Sequence, residues 1–130
     1  MKLIIAGTRS FTDEKMFWKI VHDYHRRVEE YWLYEGYGST KITEIVSGGA
    51  KGVDRFAEEW ATEQGLKLKI FKPIYDDAMW PSKLAPLHRN AQMAEYGDAL
   101  LAVWDGLSGG TANMIANMCL RNKPVFVVKI

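Results

Sequence analysis

Twice in this chain a short apolar run ends in a glycine-rich turn from which a helical pattern starts, at Ser47-Gly48-Gly49-Ala50-Lys51-Gly52 and at Ser108-Gly109-Gly110-Thr111. Strand, tight turn and helix in that order build a parallel sheet, so the pattern restricts the fold to the α/β kind. It also points to a ligand. Backbone N–H groups converge where a strand ends in glycines, and the positive end of the following helix favours an anion such as phosphate.

The rest of the chain repeats the unit. Leu3-Ile4-Ile5-Ala6 is continuously apolar, as a central strand covered on both faces requires. Gly7-Thr8-Arg9-Ser10 turns the chain, and Thr12 stands as N-cap of a helix running to about Tyr34. Ile42 to Val46 is a second strand, followed by a helix that Gly65 stops. Leu66, Leu68 and Ile70 alternate with Lys67 and Lys69, the pattern of a half-wet strand at a sheet edge. Residues 73 to 87 hold three of the four prolines together with Tyr75, Asp76, Asp77 and Trp80, and read as a long loop. Leu87 to Tyr96 is helical, Ala99 to Trp104 a strand, Thr111 to Leu120 a helix and Val125 to Val128 a last strand. The order βαβαβαβαβ predicts a five-stranded parallel sheet with helices on both faces, one domain over residues 1–130.

The first helix carries more apolar surface than a single sheet contact needs. Met16, Phe17, Ile20, Val21, Tyr24, Val28, Tyr31, Trp32 and Tyr34 fall within an arc of roughly 160°. The excess suits a neighbouring element and a second copy of the chain equally well.

Charge and cysteine content exclude several classes. Seventeen Lys and Arg against sixteen Asp and Glu leave a formal charge of +1, without the basic excess that phosphate-backbone binding leaves, so extended nucleic acid is not the expected partner. The lone Cys119 forms no intrachain disulfide and is expected to be a small buried apolar residue of its helix. His22 and His25 lack a third ligand at metal-binding spacing, and the apolar run at residues 3 to 6 is too short for a signal peptide or a membrane span. A cytoplasmic protein without metal or further cofactor is the expectation.

In a doubly wound sheet the ligand crevice lies outside the carboxyl ends of the strands, where strand order reverses. Three turns are candidates for that rim: Gly7 to Ser10, Ser47 to Gly52, and Asp105 to Thr111. Ser and Thr hydroxyls there suit phosphate oxygens, and Arg9 offers a bidentate contact. Asp54 has three uses open to it: capping its helix, binding ribose hydroxyls, or pairing with Arg55. Arg89 and Asn90 open the helix before the fourth strand and reach the rim from the side; Tyr75 and Trp80 are candidates for stacking on a base. Neither G-x-G-x-x-G after the first strand nor G-x-x-x-x-G-K-[ST] occurs, which argues against a dinucleotide dehydrogenase and a P-loop NTPase.

Gly7-Thr8-Arg9-Ser10-Phe11, Ser47-Gly48-Gly49-Ala50-Lys51-Gly52-Val53-Asp54, Arg89-Asn90 with Met93-Ala94, and Asp98 to Gly106 with Gly109-Gly110-Thr111 together resemble the YspA-like, cpYpsA-related branch of the SLOG superfamily. The resemblance implies a Rossmann-like fold and a nucleotide or nucleotide-derived ligand, NAD-related signals included, in a bacterial or phage setting. It implies ligand contacts at Gly7, Thr8, Arg9, Ser10, Ser47, Gly48, Gly49, Gly52, Asp54, Arg89, Asn90, Gly109, Gly110 and Thr111. Related LOG phosphoribohydrolases, which are commonly dimers, release a base from a nucleoside monophosphate with an arginine before the fourth strand and P-G-G-x-G-T-x-x-E after it. Arg89 matches the arginine and Gly110-Thr111 the G-T, but Met114 stands at the glutamate position. A thioether neither takes up a proton nor stabilises an oxocarbenium-like sugar. Asp54, Asp76 and Asp105 are the acids that would have to substitute. Binding of a small nucleotide-derived ligand is therefore the leading expectation, an N-glycosidase the alternative. Single-strand DNA binding, as in the related DprA proteins, comes third on charge.

Overall fold

The computed structural model describes residues 1–36, 41–75 and 81–130. Its elements run β1 (Lys2–Gly7), α1 (Glu14–Tyr34), β2 (Glu44–Ser47), α2 (Val53–Glu63), β3 (Lys67–Ile70), a 3-10 turn (Ser82–Leu84), α3 (Ala85–Tyr96), β4 (Ala99–Trp104), α4 (Gly109–Leu120) and β5 (Val125–Lys129). The five strands form one parallel sheet in the order β3-β2-β1-β4-β5. This is the expected Rossmann-like α/β fold. The chain runs outward from β1 through β2 to β3, then crosses back to β4 on the other side of β1. Strand order therefore reverses between β1 and β4.

Pleating divides the core. Leu3, Ile5, Ile45, Leu101 and Val103 face α1 and α2, whereas Ile4, Ala6, Val46, Leu100 and Ala102 face α3 and α4. Both central strands are thereby covered on two faces, which is why β1 and β4 read as unbroken apolar runs. β3 is the expected edge strand, but it is exposed throughout, Leu68 and Ile70 included, rather than wet on one face only.

Several local expectations need correction. Asp13, not Thr12, caps α1, accepting from Met16 N at 3.0 Å. β2 begins at Glu44, because Ile42 is held by a different bond, its N–H donating to Glu29 Oε1 at 3.0 Å. α3 begins at Ala85 with Pro86 in its first turn, where the missing N–H costs nothing, so Arg89 and Asn90 lie in its second turn. α4 begins at Gly109, so its two glycines form helix rather than a preceding turn. Cys119 is exposed, not buried, since Thr111, Met114 and Met118 form the inner face of α4.

The broad stripe of α1 is mostly absorbed by the chain itself. Phe17, Ile20, Val21, Val28 and Trp32 are buried, and Tyr31 meets Phe126 of β5 edge-on with ring centroids 5.4 Å apart. Met16 and Tyr34 remain exposed. Asp76, Asp77 and Trp80 lie outside the described residues, as do residues 37–40 of the loop after α1. No described helix is long and apolar enough to cross a membrane.

Candidate functional site

The turns after β1, β2 and β4 surround one cleft of about 510 Å³ at the carboxyl ends of the strands. Of the residues expected at the site, Gly7, Thr8, Arg9, Ser10, Gly48, Asp54, Arg89, Asn90, Gly109, Gly110 and Thr111 line it. Ser47, Gly49 and Gly52 do not. Ser108, from the expected turn of Asp105 to Thr111, and Met93 also line it, and so does Lys83, which nothing in the sequence around it marks.

Polarity is concentrated here. The buried polar side chains of the described residues are Thr8, Ser47, Asp54, Arg89, Asn90 and Thr111, all of them at this end of the sheet. Most are committed to holding the turns. Thr8 Oγ1 accepts from Asp105 N at 3.1 Å and so ties the β1 turn to the β4 turn. Asn90 accepts from Arg89 Nε at 3.0 Å and donates to Gly110 O and Asn113 Oδ1, each at 3.1 Å, fastening α3 to the first turn of α4.

The two glycine turns turn out to be different. After β2, Gly49 N donates to Ser47 Oγ at 3.2 Å and Ala50 N to Asp54 Oδ2 at 3.1 Å, so these N–H groups are already engaged. Ser47 Oγ in turn donates to Glu58 Oε2 at 2.9 Å. Gly52 has φ of 73°, and a Cβ there would lie 2.5 Å from the carbonyl oxygens of both Thr8 and Arg9. This glycine serves the close approach of two turns.

At α4 the opposite holds. The first intrahelical bond runs from Ala112 N to Ser108 O at 3.1 Å, leaving the N–H groups of Gly109, Gly110 and Thr111 ahead of it. Ser108 provides no side-chain cap, because its hydroxyl lies 3.0 Å from Asp105 Oδ2 and 3.4 Å from Thr8 Oγ1. A Cβ on Gly109 or Gly110 would meet nothing within 4 Å. The fold does not require glycine at these positions.

Asp54 neither caps α2 nor pairs with Arg55, which instead reaches Glu59 at 3.5 Å on the exposed face. Its carboxyl turns back to Ala50, and burial pushes its pKa up to about 6 against the opposing effects of the Ala50 N–H and Arg89. Arg89 Nη1 donates to Gly48 O and, at 3.4 Å, to Phe71 O. Burial lowers the Arg89 pKa, with Asp54 acting in the other direction.

Asp105 is drawn into its own loop, accepting from Leu107 N and Ser108 N at 2.8 Å each, which holds its carboxyl below the usual range. Met114 does face the cleft, almost fully buried, so a thioether stands where the glutamate of the LOG hydrolases was sought. Tyr75 is half exposed and does not line the cleft. Among the described residues no group of three or more His, Cys, Asp or Glu side chains is arranged to hold a metal.

No curated protein matches the chain in sequence. In structure it is similar to DNA processing protein A (DprA) from Streptococcus pneumoniae, with a TM-score of 0.69 and 18% identity over 97% of this chain and 49% of that one. It is likewise similar to DprA from Helicobacter pylori, a structure described for its single-stranded DNA binding mode, with a TM-score of 0.64 and 24% identity over 98% of this chain and 64% of that one. The chain thus spans about half of one relative and less than two thirds of the other, and the likeness is one of fold. A family model matches residues 1–75, which include the turns after β1 and β2 but reach neither Arg89 nor α4. On that match the chain belongs to the YspA, cpYpsA-related SLOG family.

Proposed function

We propose that the protein binds a small nucleotide-derived ligand in this cleft, with a phosphate on the first turn of α4. The observation that carries the reading is the uncapped N-terminus of α4, whose Gly109 and Gly110 leave open space on a cleft also lined by Arg9, Lys83 and Arg89. Free N–H groups, the helix dipole and nearby cations all favour an anion. The engaged N–H groups of the β2 turn move the phosphate away from Ser47 to Gly52, leaving that turn to hold Asp54. Family membership supports a nucleotide-related ligand.

Hydrolysis of an N-glycosidic bond is the reading from another class. Met114 counts against it, and Asp54 is the buried acid left in the cleft to support it. Single-stranded DNA is a further reading, favoured by the likeness to the Helicobacter pylori DprA and opposed by the formal charge of +1.

One experiment separates them. The protein is incubated with AMP, NAD, ADP-ribose, cyclic ADP-ribose and a short oligothymidylate, following thermal shift and released base together. Stabilisation by a small nucleotide without base release supports binding. Base release that Arg89→Ala abolishes would establish the hydrolase instead, and stabilisation by the oligonucleotide alone the DNA binder. If none of the four small nucleotides raises the melting temperature, the proposal is refuted.

A further inference from the structure

Asp54 and Arg89 are the charged side chains buried among the described residues, 6% and 7% exposed, and they do not close on each other. Neither takes part in an ion pair within 4.0 Å, although Arg89 Nη1 and Asp54 Oδ2 lie 2.7 and 2.9 Å from the point a Gly48 Cβ would occupy. Their separation is therefore too wide for contact and no wider than those two distances end to end. Charged groups this close together let one small ligand group reach both, each through a hydrogen bond of about 2.8 Å.

Each residue also keeps an atom unused. Asp54 Oδ2 accepts from Ala50 N, whereas Oδ1 has no hydrogen-bond partner among the described residues. Arg89 engages Nε and Nη1 with Asn90, Gly48 and Phe71, whereas Nη2 has none. Neither unused atom is sealed from solvent, and both residues line the cleft. Two desolvated charges left without direct contact cost stability, and a ligand group that engages both recovers it.

The chemistry of that group follows from the pair. A second anion would satisfy Arg89 and be repelled by Asp54, and a cation would do the reverse. A hydroxyl donates to the carboxylate and accepts from the guanidinium at once. We infer that Asp54 and Arg89 together read a sugar hydroxyl of the ligand, which makes Asp54 a specificity-determining residue that rejects ligands carrying a second phosphate in place of that hydroxyl. The inference rests on the phosphate-binding reading of α4, because that contact fixes which end of the ligand reaches Asp54.

Calorimetric titration of the wild type and of Asp54→Asn with AMP, 2′,3′-dideoxy-AMP and adenosine 3′,5′-bisphosphate tests it. Loss of the hydroxyls leaves buried charges unpaired and is expected to weaken binding to the wild type at least about tenfold. The bisphosphate is expected to bind the wild type more weakly than AMP, and Asp54→Asn to narrow that gap by removing the repelling charge. Equal binding of AMP and its dideoxy analogue overturns this inference and leaves the phosphate reading standing. So does an undiminished rejection of the bisphosphate by a folded Asp54→Asn. Failure of all three nucleotides to bind overturns this inference, and both readings where NAD and the ADP-ribose compounds also leave the melting temperature unchanged. The comparison of AMP with its dideoxy analogue uses the wild type alone and holds even if the variant does not fold.

Discussion

Asp54 gives the sharpest test of the energetics, because a residue kept for a ligand is expected to cost the free protein stability. Its carboxyl has a pKa of 3.8 when solvated and about 6 in the fold, with burial as the largest cause. The folded state therefore binds the proton more tightly than the unfolded chain. Below about pH 4 the group is protonated in both states and costs nothing; the penalty grows as pH rises and is complete above about pH 6. Raising the pKa from 3.8 to about 6, at about 1.36 kcal/mol for each tenfold change in proton affinity, costs about 3 kcal/mol. Asp54→Asn removes the charge and keeps an amide oxygen for the Ala50 N–H, so the variant should be the more stable protein near pH 8. For a chain of this size that gain corresponds to about 10 °C in melting temperature. Scanning calorimetry of both proteins between about pH 4 and pH 8 measures it. The advantage of the asparagine should be full at the alkaline end and vanish towards the acid end. A variant that melts lower near pH 8, or a difference that stays constant across the range, would refute the argument from burial.

Three further predictions concern the glycines and the assembly. Gly52→Ala should lower stability by roughly 3 kcal/mol or more, because φ of 73° and two carbonyl oxygens at 2.5 Å leave no room for a methyl group. Gly110→Ala should leave thermal stability unchanged or raise it by up to about 1 kcal/mol, since alanine is the better helix former. It should still weaken AMP binding at least about tenfold by filling the space next to the free N–H groups. A destabilised Gly110→Ala, or one of unchanged affinity, would assign that glycine to the fold. Leu33 and Tyr34, 67% and 86% exposed at the end of α1, are proposed to meet a second copy of the chain. Light scattering that finds only monomer at high concentration rejects the dimer.

What could be read in advance was whatever depends on neighbours in sequence. An unbroken apolar run marked β1 as central, and the lysines alternating through β3 marked it as an edge, because burial on two faces or one writes a period into the strand. Contacts between distant turns left no such period. Gly52 and Gly110 look alike in sequence, and only the approach of the Thr8 and Arg9 carbonyls assigns the first to the fold. α4 is apolar around much of its circumference, so nothing local told buried Met118 from exposed Cys119 and Leu120 beside it. Asp54 followed a glycine turn and preceded an arginine, which suggested a cap, a ribose contact or a local ion pair; its surroundings are set by Ala50 behind it and by Arg89 on another helix. Three of the places where local rules failed carry a cost to the fold: a buried carboxylate short of its cation, a helix start without a cap, two glycines in a helical turn. All of them open on the same cleft. Costs that accumulate at one end of a sheet and are only partly relieved within the chain are those a bound ligand would offset.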